Sequence, residues 1–241
     1  TLILSMLKNI PVEKIFRTAL SSGGEFAELY AERTVSTSIL HEDKKLERVN
    51  TGIDTGYGLR VLFKDKTAYG FTNDPDKLME VAAVVGKNIR GGHSGVGALK
   101  LQDQRVQRLK VQCSRTQFDE EFEQKADIVK RAASEAWTHN CIKQVQVTWR
   151  DMQREIFVVN SRGIEEKDLR IDSVMLVLVI AEKNDLVQTG YEPAGGNVGI
   201  EYFLRKTPEK IAKAATERAL LMLKARHSPR GAMPVVISSS A

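Results

Sequence analysis

The chain is poor in the residues that build disulfide frameworks and metal clusters. Its 241 residues include two cysteines, Cys113 and Cys141, and four histidines. Small secreted domains use an even and much denser set of cysteines. The low cysteine content therefore favours a reducing, cytoplasmic location.

Long hydrophobic runs and blocks of like charge are also missing. The apolar run at residues 174–181 is far shorter than the ~20 residues that cross a bilayer, and the N-terminus lacks the cleavage pattern of a signal peptide. The 36 Lys and Arg exceed the 31 Asp and Glu, which gives a charge of +5, but both signs are mixed along the chain. With only 6% aromatic residues, this pattern argues against nucleic-acid binding.

The remaining composition, 42% apolar and 28% charged, is that of a globular protein. Helical stripes and capping residues predict helices from Pro11 to a stop at Gly23 and at residues 75–90, 118–140 and 208–223. Alternating or apolar runs predict strands at 27–39, a hairpin over 59–71 with its turn at 64–66, and strands at 145–149, 156–159, 173–181 and 186–191. The run 173–181 is apolar on both faces, as in a central strand covered on both sides. We predict an α+β fold with largely antiparallel sheets flanked by helices, in two loosely similar halves.

Composition divides the chain into four parts. We predict a first α+β unit at residues 1–92, a glycine-rich and then polar connection at 93–112, and a second α+β unit at 113–230. The β-branched run at 234–237 is typical of a buried strand. Residues 231–241 are therefore expected to begin a further domain that this chain does not contain.

No catalytic motif is complete. A glutamate follows His41, but no second histidine lies one helical turn on, which favours a solvent-facing loop histidine. His139 and Cys141 lie two residues apart with no partner pair nearby. Residues 92–96, Gly-His-Ser-Gly-Val, lack the second flanking glycine of a nucleophile elbow. The sequence thus predicts no catalytic residue and no metal ligand.

Two further patterns are ambiguous. The glycine-rich stretch 195–199 could bring backbone N–H groups to an anion, but no Lys-Ser/Thr pair or helix follows directly, which favours a turn. The carboxylate pairs at 120–121 and 165–166 point apart on either a helix or a strand, which favours surface charge.

Five segments, in order, resemble the TldD/PmbA family, whose members are often labelled modulators of DNA gyrase and look like zinc metallopeptidases. The first segment carries a Leu-Glu-Arg-Val stretch and then Gly-x-Gly-x-Arg-Val, in which Gly56, Gly58 and Arg60 match. The segments are residues 27–63, 68–74, 160–163, 190–203 and 233–238. In relatives the last of these is followed by a helix with His-Glu-x-x-x-His, the zinc site.

The resemblance implies that this chain is the non-catalytic N-terminal portion of such a protein, inactive alone, with zinc held by residues beyond Ala241. It would shape substrate access and contact a homologous subunit, in a homo- or heterodimer that cleaves small or unfolded peptides. We predict that residues 192–199 form a cavity wall. The candidate cavity residues are Glu192, Gly195, Gly196 and Glu201.

For Gly56 and Gly58 we expect a structural role, namely backbone freedom where a strand begins. The alternative function is an interaction module, without peptidase activity, that binds a protein or nucleic acid as a modulator of DNA gyrase would. Coordination of a metal by His41, His93, His139 or His227 would contradict the first interpretation.

Overall fold

The computed structural model describes residues 9–89, 122–226 and 230–237. The strands are β1 (Phe26–Glu42), β2 (Lys45–Phe63), β3 (Lys66–Thr72), β4 (Ile142–Asn160), β5 (Glu165–Lys183) and β6 (Leu186–Gly196). The helices are α1 (Val12–Leu20), α2 (Leu78–Asn88), α3 (Phe122–Ala136), α4 (Tyr202–Arg205) and α5 (Pro208–Met222), and a 3₁₀ turn, Pro75–Lys77, precedes α2. The α+β prediction is confirmed.

The six strands form one antiparallel sheet in the order β3-β2-β1-β4-β5-β6. Strands β1 and β4 pair along most of their length, from Glu28 opposite Asn160 to Glu42 opposite Gln146. The strands of the two predicted units therefore join in a single sheet. Helices α1 and α2 cover β1, β2 and β3, whereas α3 and α5 cover β4, β5 and β6.

The helices of the described residues pack on one face of the sheet and create two apolar cores. Because alternate residues of a strand point to opposite faces, odd-numbered residues of β1, β2, β4 and β5 face the helices. The first core contains Phe16, Leu29 and Leu59, and the second contains Trp149 and Met175, each 0–1% exposed. Burying such a side chain contributes about 1.5–3 kcal/mol.

Buried polar side chains lie between the two cores. Lys125 Nζ of α3 lies 2.8 Å from Asp151 Oδ2 of β4. Trp149 Nε1 donates to the same oxygen at 2.7 Å. Nearby, Arg33 approaches Glu155 at 4.0 Å. The contact with Glu155 places the polar Arg33 on the otherwise largely apolar, helix-facing side of β1.

Several predicted elements need correction. The predicted strands at 145–149 and 156–159 are one strand, because the polar residues between them are paired in the sheet. The strand predicted to end at Tyr191 continues to Gly196. Helix α3 ends at Ala136, not near residue 140, and its predicted start at residue 118 lies outside the described residues.

One prediction of burial was wrong. Residues 173–181 are buried on the helix-facing side, but Val174 and Leu176 on the other side are only half-buried. In this chain residues 234–237 do not form a strand and Val236 is 98% exposed; their expected place in a further domain stays a prediction. The predicted connection at 93–112, the motif at 92–96 and the carboxylate pair at 120–121 lie largely or wholly outside the described residues.

Candidate functional site

A groove of about 550 Å³ lies on the face of the sheet opposite the helices. Nine of its twelve lining residues stand at even-numbered positions of β1, β2, β4 and β5, because these positions point away from the helices. The lining residues are Ser36, Thr37, Ser38, Asn50, Thr51, Gly52, Arg150, Asp151, Met152, Asp172, Val174 and Leu176.

Two cross-strand rows form the floor of the groove. One row runs from Asn50 through Ser38 and Arg150 to Val174, and the next runs from Gly52 through Ser36 and Met152 to Asp172. Neighbouring strands lie about 4.8 Å apart, so each row crosses roughly 15 Å. The rows place hydroxyl, amide and charged groups beside an apolar strip. Such a floor can hold an extended ligand with both polar and apolar groups.

A hydrogen-bonded network on the same face borders the groove. Glu32 receives hydrogen bonds from the Tyr30 hydroxyl and, at 2.8 Å, from Thr34 Oγ1. Arg154 Nε lies 3.4 Å from the same carboxylate, and Arg154 Nη2 lies 3.4 Å from the sulfur of Met152 in the groove. The pKa of Tyr30 is raised to about 12, mainly because the hydroxyl is partly buried and secondly because it donates a hydrogen bond to Glu32. The phenol therefore stays protonated and donates at neutral pH.

The structure separates the predicted cavity residues. Glu192 lies on the helix side of the sheet, where Lys206 Nζ at 3.3 Å and Arg218 Nη2 at 3.0 Å contact its carboxylate. It ties β6 to α5 instead of lining the groove. Gly195, in contrast, is paired with the groove residue Val174.

Of the other two candidates, Gly196 lies beside the groove and Glu201 does not. Gly196 ends β6 with a φ of 137°, and the Nδ2 of the following Asn197 lies 3.5 Å from Asp172 Oδ1 in the groove. Glu201 precedes α4, where its Oε2 is buried and has no hydrogen-bond partner. The end of β6 at Gly195 and Gly196 thus adjoins the groove, whereas Glu192 and Glu201 do not line it.

The glycines of the family signature lie within β2, so their predicted place at the start of a strand was wrong. Gly58 leaves room for the Tyr69 ring of β3, which a Cβ would meet. No atom comes within 4 Å of a Cβ built at Gly56. Arg60 Nη2 forms an exposed ion pair with Glu28 at 2.9 Å.

His41 is 5% exposed in β1, so the prediction of a solvent-facing loop histidine was wrong. Burial lowers its pKa, and the charge of Lys130 lowers it further. His139 is exposed in the turn before β4. His93 and His227 lie outside the described residues.

The residues around His41 do not suit a zinc ion. Zinc sites are built from thiolate, imidazole and carboxylate groups, whereas Lys44, Lys45 and Lys130 share a cavity with His41. Over residues 9–89, 122–226 and 230–237, the structure has no group of three His, Cys, Asp or Glu side chains placed to hold a metal. Within the same ranges, no helix has the length and apolar character to cross a membrane.

Sequence reasoning missed most of the groove. The alternation of Ser36 and Ser38 with apolar residues did indicate the side facing away from the core. Which residues of β2, β4 and β5 stand beside these serines depends on the register of four strands, and no local pattern specifies that register.

An antiparallel sheet with the described helices on one face and a groove on the other defines an α+β fold. The sequence models of one family match most of this chain. PmbA/TldA metallopeptidase domain 1 matches residues 27–89, and the PmbA/TldA metallopeptidase central domain matches residues 116–223. The chain therefore belongs to the TldD/PmbA family of metallopeptidases.

Curated relatives carry the corresponding names. A metalloprotease of Methanothermobacter thermautotrophicus is 28% identical over 218 residues, which are 88% of this chain and 46% of the relative. A metalloprotease TldD homolog of Haemophilus influenzae is 24% identical over 226 residues, which are 89% of this chain and 46% of the relative. The chain spans about half the length of these relatives.

Solved structures share the fold. A Thermotoga maritima protein, described as a proposed modulator of a DNA gyrase, superposes with a TM-score of 0.73 at 18% identity, over 91% of this chain and 49% of that one. TldE from Thermococcus kodakarensis superposes with a TM-score of 0.64 at 14% identity, over 84% of this chain and 46% of that one.

Proposed function

We propose that this chain is the non-catalytic, substrate-guiding part of a TldD/PmbA metallopeptidase and that its groove binds extended peptides. The observation that carries the proposal is the groove itself, whose two rows of side chains cross four strands on the face opposite the described helices. The metalloprotease names of the relatives support a peptide as the class of ligand.

The chemistry of the groove suits a small or unfolded peptide. Met152, Val174 and Leu176 form an apolar strip, and apolar surface gains roughly 25 cal/mol per Å² when it is removed from water. Arg150 and Asp172 lie on either side of that strip and offer one charge of each sign. A peptide with mixed side chains can use both kinds of contact, whereas the phosphate backbone of DNA needs clustered positive charge.

The metal, the partner and the location belong to the same proposal. The names of the relatives imply a metal in the family, and we assign its ligands to the part of these relatives that this chain does not span. The zinc ion would supply the hydrolytic chemistry, and this chain would hold and orient the peptide. A homologous subunit completes the enzyme, as homo- or heterodimer, in the cytoplasm.

Binding of a labelled peptide tests the proposal. A fluorescein-labelled, unstructured peptide of alternating apolar and polar residues is titrated with the 241-residue chain, and its anisotropy gives the Kd. Val174→Asp and Leu176→Asp should each weaken binding about tenfold or more, because they place a charge in the apolar strip. Val187→Asp, at an exposed apolar residue of β6 outside the groove, is the matched control and should leave the Kd unchanged.

Two results would contradict the proposal. One is zinc-dependent cleavage of the peptide by the 241-residue chain alone, since this part is assigned no catalytic role. The other is absence of peptide binding together with tight binding of duplex DNA that weakens steeply with salt, which would favour the interaction-module alternative.

A further inference from the structure

The outer edge of β2 is open beside the groove. Strand β3 pairs with residues 57–63 of β2, and among the described residues no other strand pairs with this edge. The pairing of β2 with β1 shifts between Leu46 and Arg48, as at a bulge. Residues 48–56 thus form a regular edge whose unpaired N–H and C=O groups can bind another strand. We infer that this edge pairs with the same edge of a second copy of this chain, around a two-fold axis at Thr51.

The charges of the edge are complementary in this register. When two antiparallel strands pair around Thr51, Arg48 of each copy lies opposite Asp54 of the other. Opposite charges that stand directly opposite each other stabilise a pair of strands. An axis at Gly52 would instead place Arg48 opposite Gly56 and remove both charge pairs. The axis at Thr51 is therefore the register that the sequence favours.

The side chains that meet in this register are available for pairing. Val49 and Ile53 of the two copies come opposite each other on the helix-facing side, where they are 43% and 62% exposed in the single chain. Pairing removes part of this apolar surface from water, which stabilises the dimer. Arg48 and Asp54 are exposed on the other face, and neither forms an ion pair with another described residue.

The opposite edge of the sheet is protected, whereas this one is not. Strand β6 contains Pro193, which has no N–H to donate, and Arg218 of α5 donates a hydrogen bond to the carbonyl of Tyr191. Both features hinder the addition of a further strand. Residues 48–56 contain no proline. The bulge before Arg48 bends β2, so the paired stretch ends before it reaches β3 of the other copy.

The pairing would join the two grooves. Asn50, Thr51 and Gly52 line the groove of each copy, and the axis at Thr51 places Asn50 of one copy opposite Gly52 of the other. Residues directly opposite each other point to the same face of a sheet, so both grooves open on the same face. This consequence rests on the proposed function: where the groove binds a peptide, the two copies contribute to one continuous binding surface.

A cysteine on the two-fold axis tests the register. Directly opposite residues have Cα atoms about 4.5–5.5 Å apart, and a disulfide spans about 4.4–6.8 Å. In a chain with Cys113 and Cys141 replaced by serine, Thr51→Cys should form a disulfide-linked dimer under mild oxidation, seen on a non-reducing gel. Thr189→Cys, at an exposed threonine of β6, is the matched control and should stay unlinked. Equal linking of the two variants would overturn the inference.

Reversed charges test the pairing without a covalent link. In sedimentation equilibrium, Arg48→Asp should weaken dimerisation about tenfold or more, because each dimer then contains two pairs of like charges. The double variant Arg48→Asp/Asp54→Arg should restore the Kd. Lys183→Asp, at an exposed lysine of β5, changes the net charge equally and should leave the Kd nearly unchanged. A double variant no better than Arg48→Asp would overturn the inference.

The outcomes also separate this inference from the proposed function. Dimers that link through Thr51→Cys but bind no peptide would support the pairing and contradict the peptide groove. A chain that binds peptide yet stays monomeric at high concentration would overturn the pairing alone. Protection of the Thr51→Cys thiol by peptide in such a monomer would mean that the edge takes a peptide strand. Association that Arg48→Asp leaves unchanged, as expected of contacts through residues 233–237, would also overturn the pairing.

Discussion

Replacing Lys125 with methionine measures how firmly α3 is held to the sheet. The Lys125 and Asp151 side chains are 5% and 2% exposed, and their charged atoms lie 2.8 Å apart. In Lys125→Met the aspartate stays buried and keeps the hydrogen bond from Trp149. Removing one member of a buried ion pair costs about 3–5 kcal/mol, so we expect a loss of this size in the free energy of unfolding.

Urea unfolding, followed by circular dichroism, gives this free energy. The double variant Lys125→Met/Asp151→Leu should recover part of the loss, because apolar residues of similar size often replace a buried pair without penalty, whereas the Trp149 N–H loses its acceptor. Arg131→Met is the matched control on the same helix, since the ion pairs of Arg131 with Asp127 and Glu209 are exposed, and such pairs contribute about 0–1 kcal/mol. A loss below about 1 kcal/mol in Lys125→Met, or a double variant no more stable than the single one, would refute the reasoning.

Three other predictions concern packing, pH and association. Gly190→Ala should lower the unfolding free energy by about 1–3 kcal/mol or more, because the new Cβ would meet the backbone of Ala215 on α5. Gly56→Ala is the control and should change the unfolding free energy by less than about 1 kcal/mol, because no described atom lies within 4 Å of its Cβ. Similar losses in the two variants would contradict the packing. Burial lowers the pKa of His41 in the folded chain. The free energy of unfolding should therefore be highest above about pH 6.5 and fall at lower pH, where the unfolded chain binds a proton at His41 more readily than the folded chain does. An equally steep fall in His41→Gln would contradict this. The exposed apolar residues of 233–237 should promote self-association, and a monomer at high concentration in sedimentation would contradict this.

Much of the fold could be predicted because local signals agreed with the tertiary structure. The hairpin of β2 and β3 turns at residues 64 and 65, as predicted. Asp74 accepts a hydrogen bond from the N–H of Asp76 and begins the 3₁₀ turn before α2. Thr207 caps α5, whose predicted stripe is buried. In each case the residues that determine the structure are neighbours in the sequence.

The errors arose where distant residues decide the outcome. The prediction divided β4 at the polar residues 150–155, yet Asp151, Gln153 and Glu155 are all buried on the helix side of the sheet. Lys125 stabilises the first of them from a separate helix. The burial of His41 likewise depends on α3, which lies far away in the sequence.

The groove could not be predicted for a related reason. The run 173–181 is apolar on both faces, which is typical of a strand covered on both sides. In the structure the second apolar face, with Val174 and Leu176, lines the groove. Composition alone does not distinguish a face that packs on the core from a face that is open to bind a ligand.

The central claim, that a peptide binds in the groove on the face opposite the described helices, is tested most directly by methyl NMR. The methyl group of Met152 lies in the groove, and that of Met175 lies in the core on the opposite face, 0% exposed. Titration of the 241-residue chain with the unlabelled peptide should shift the Met152 signal saturably and leave the Met175 signal in place. An unchanged Met152 signal at a peptide concentration that saturates binding would contradict the proposed site.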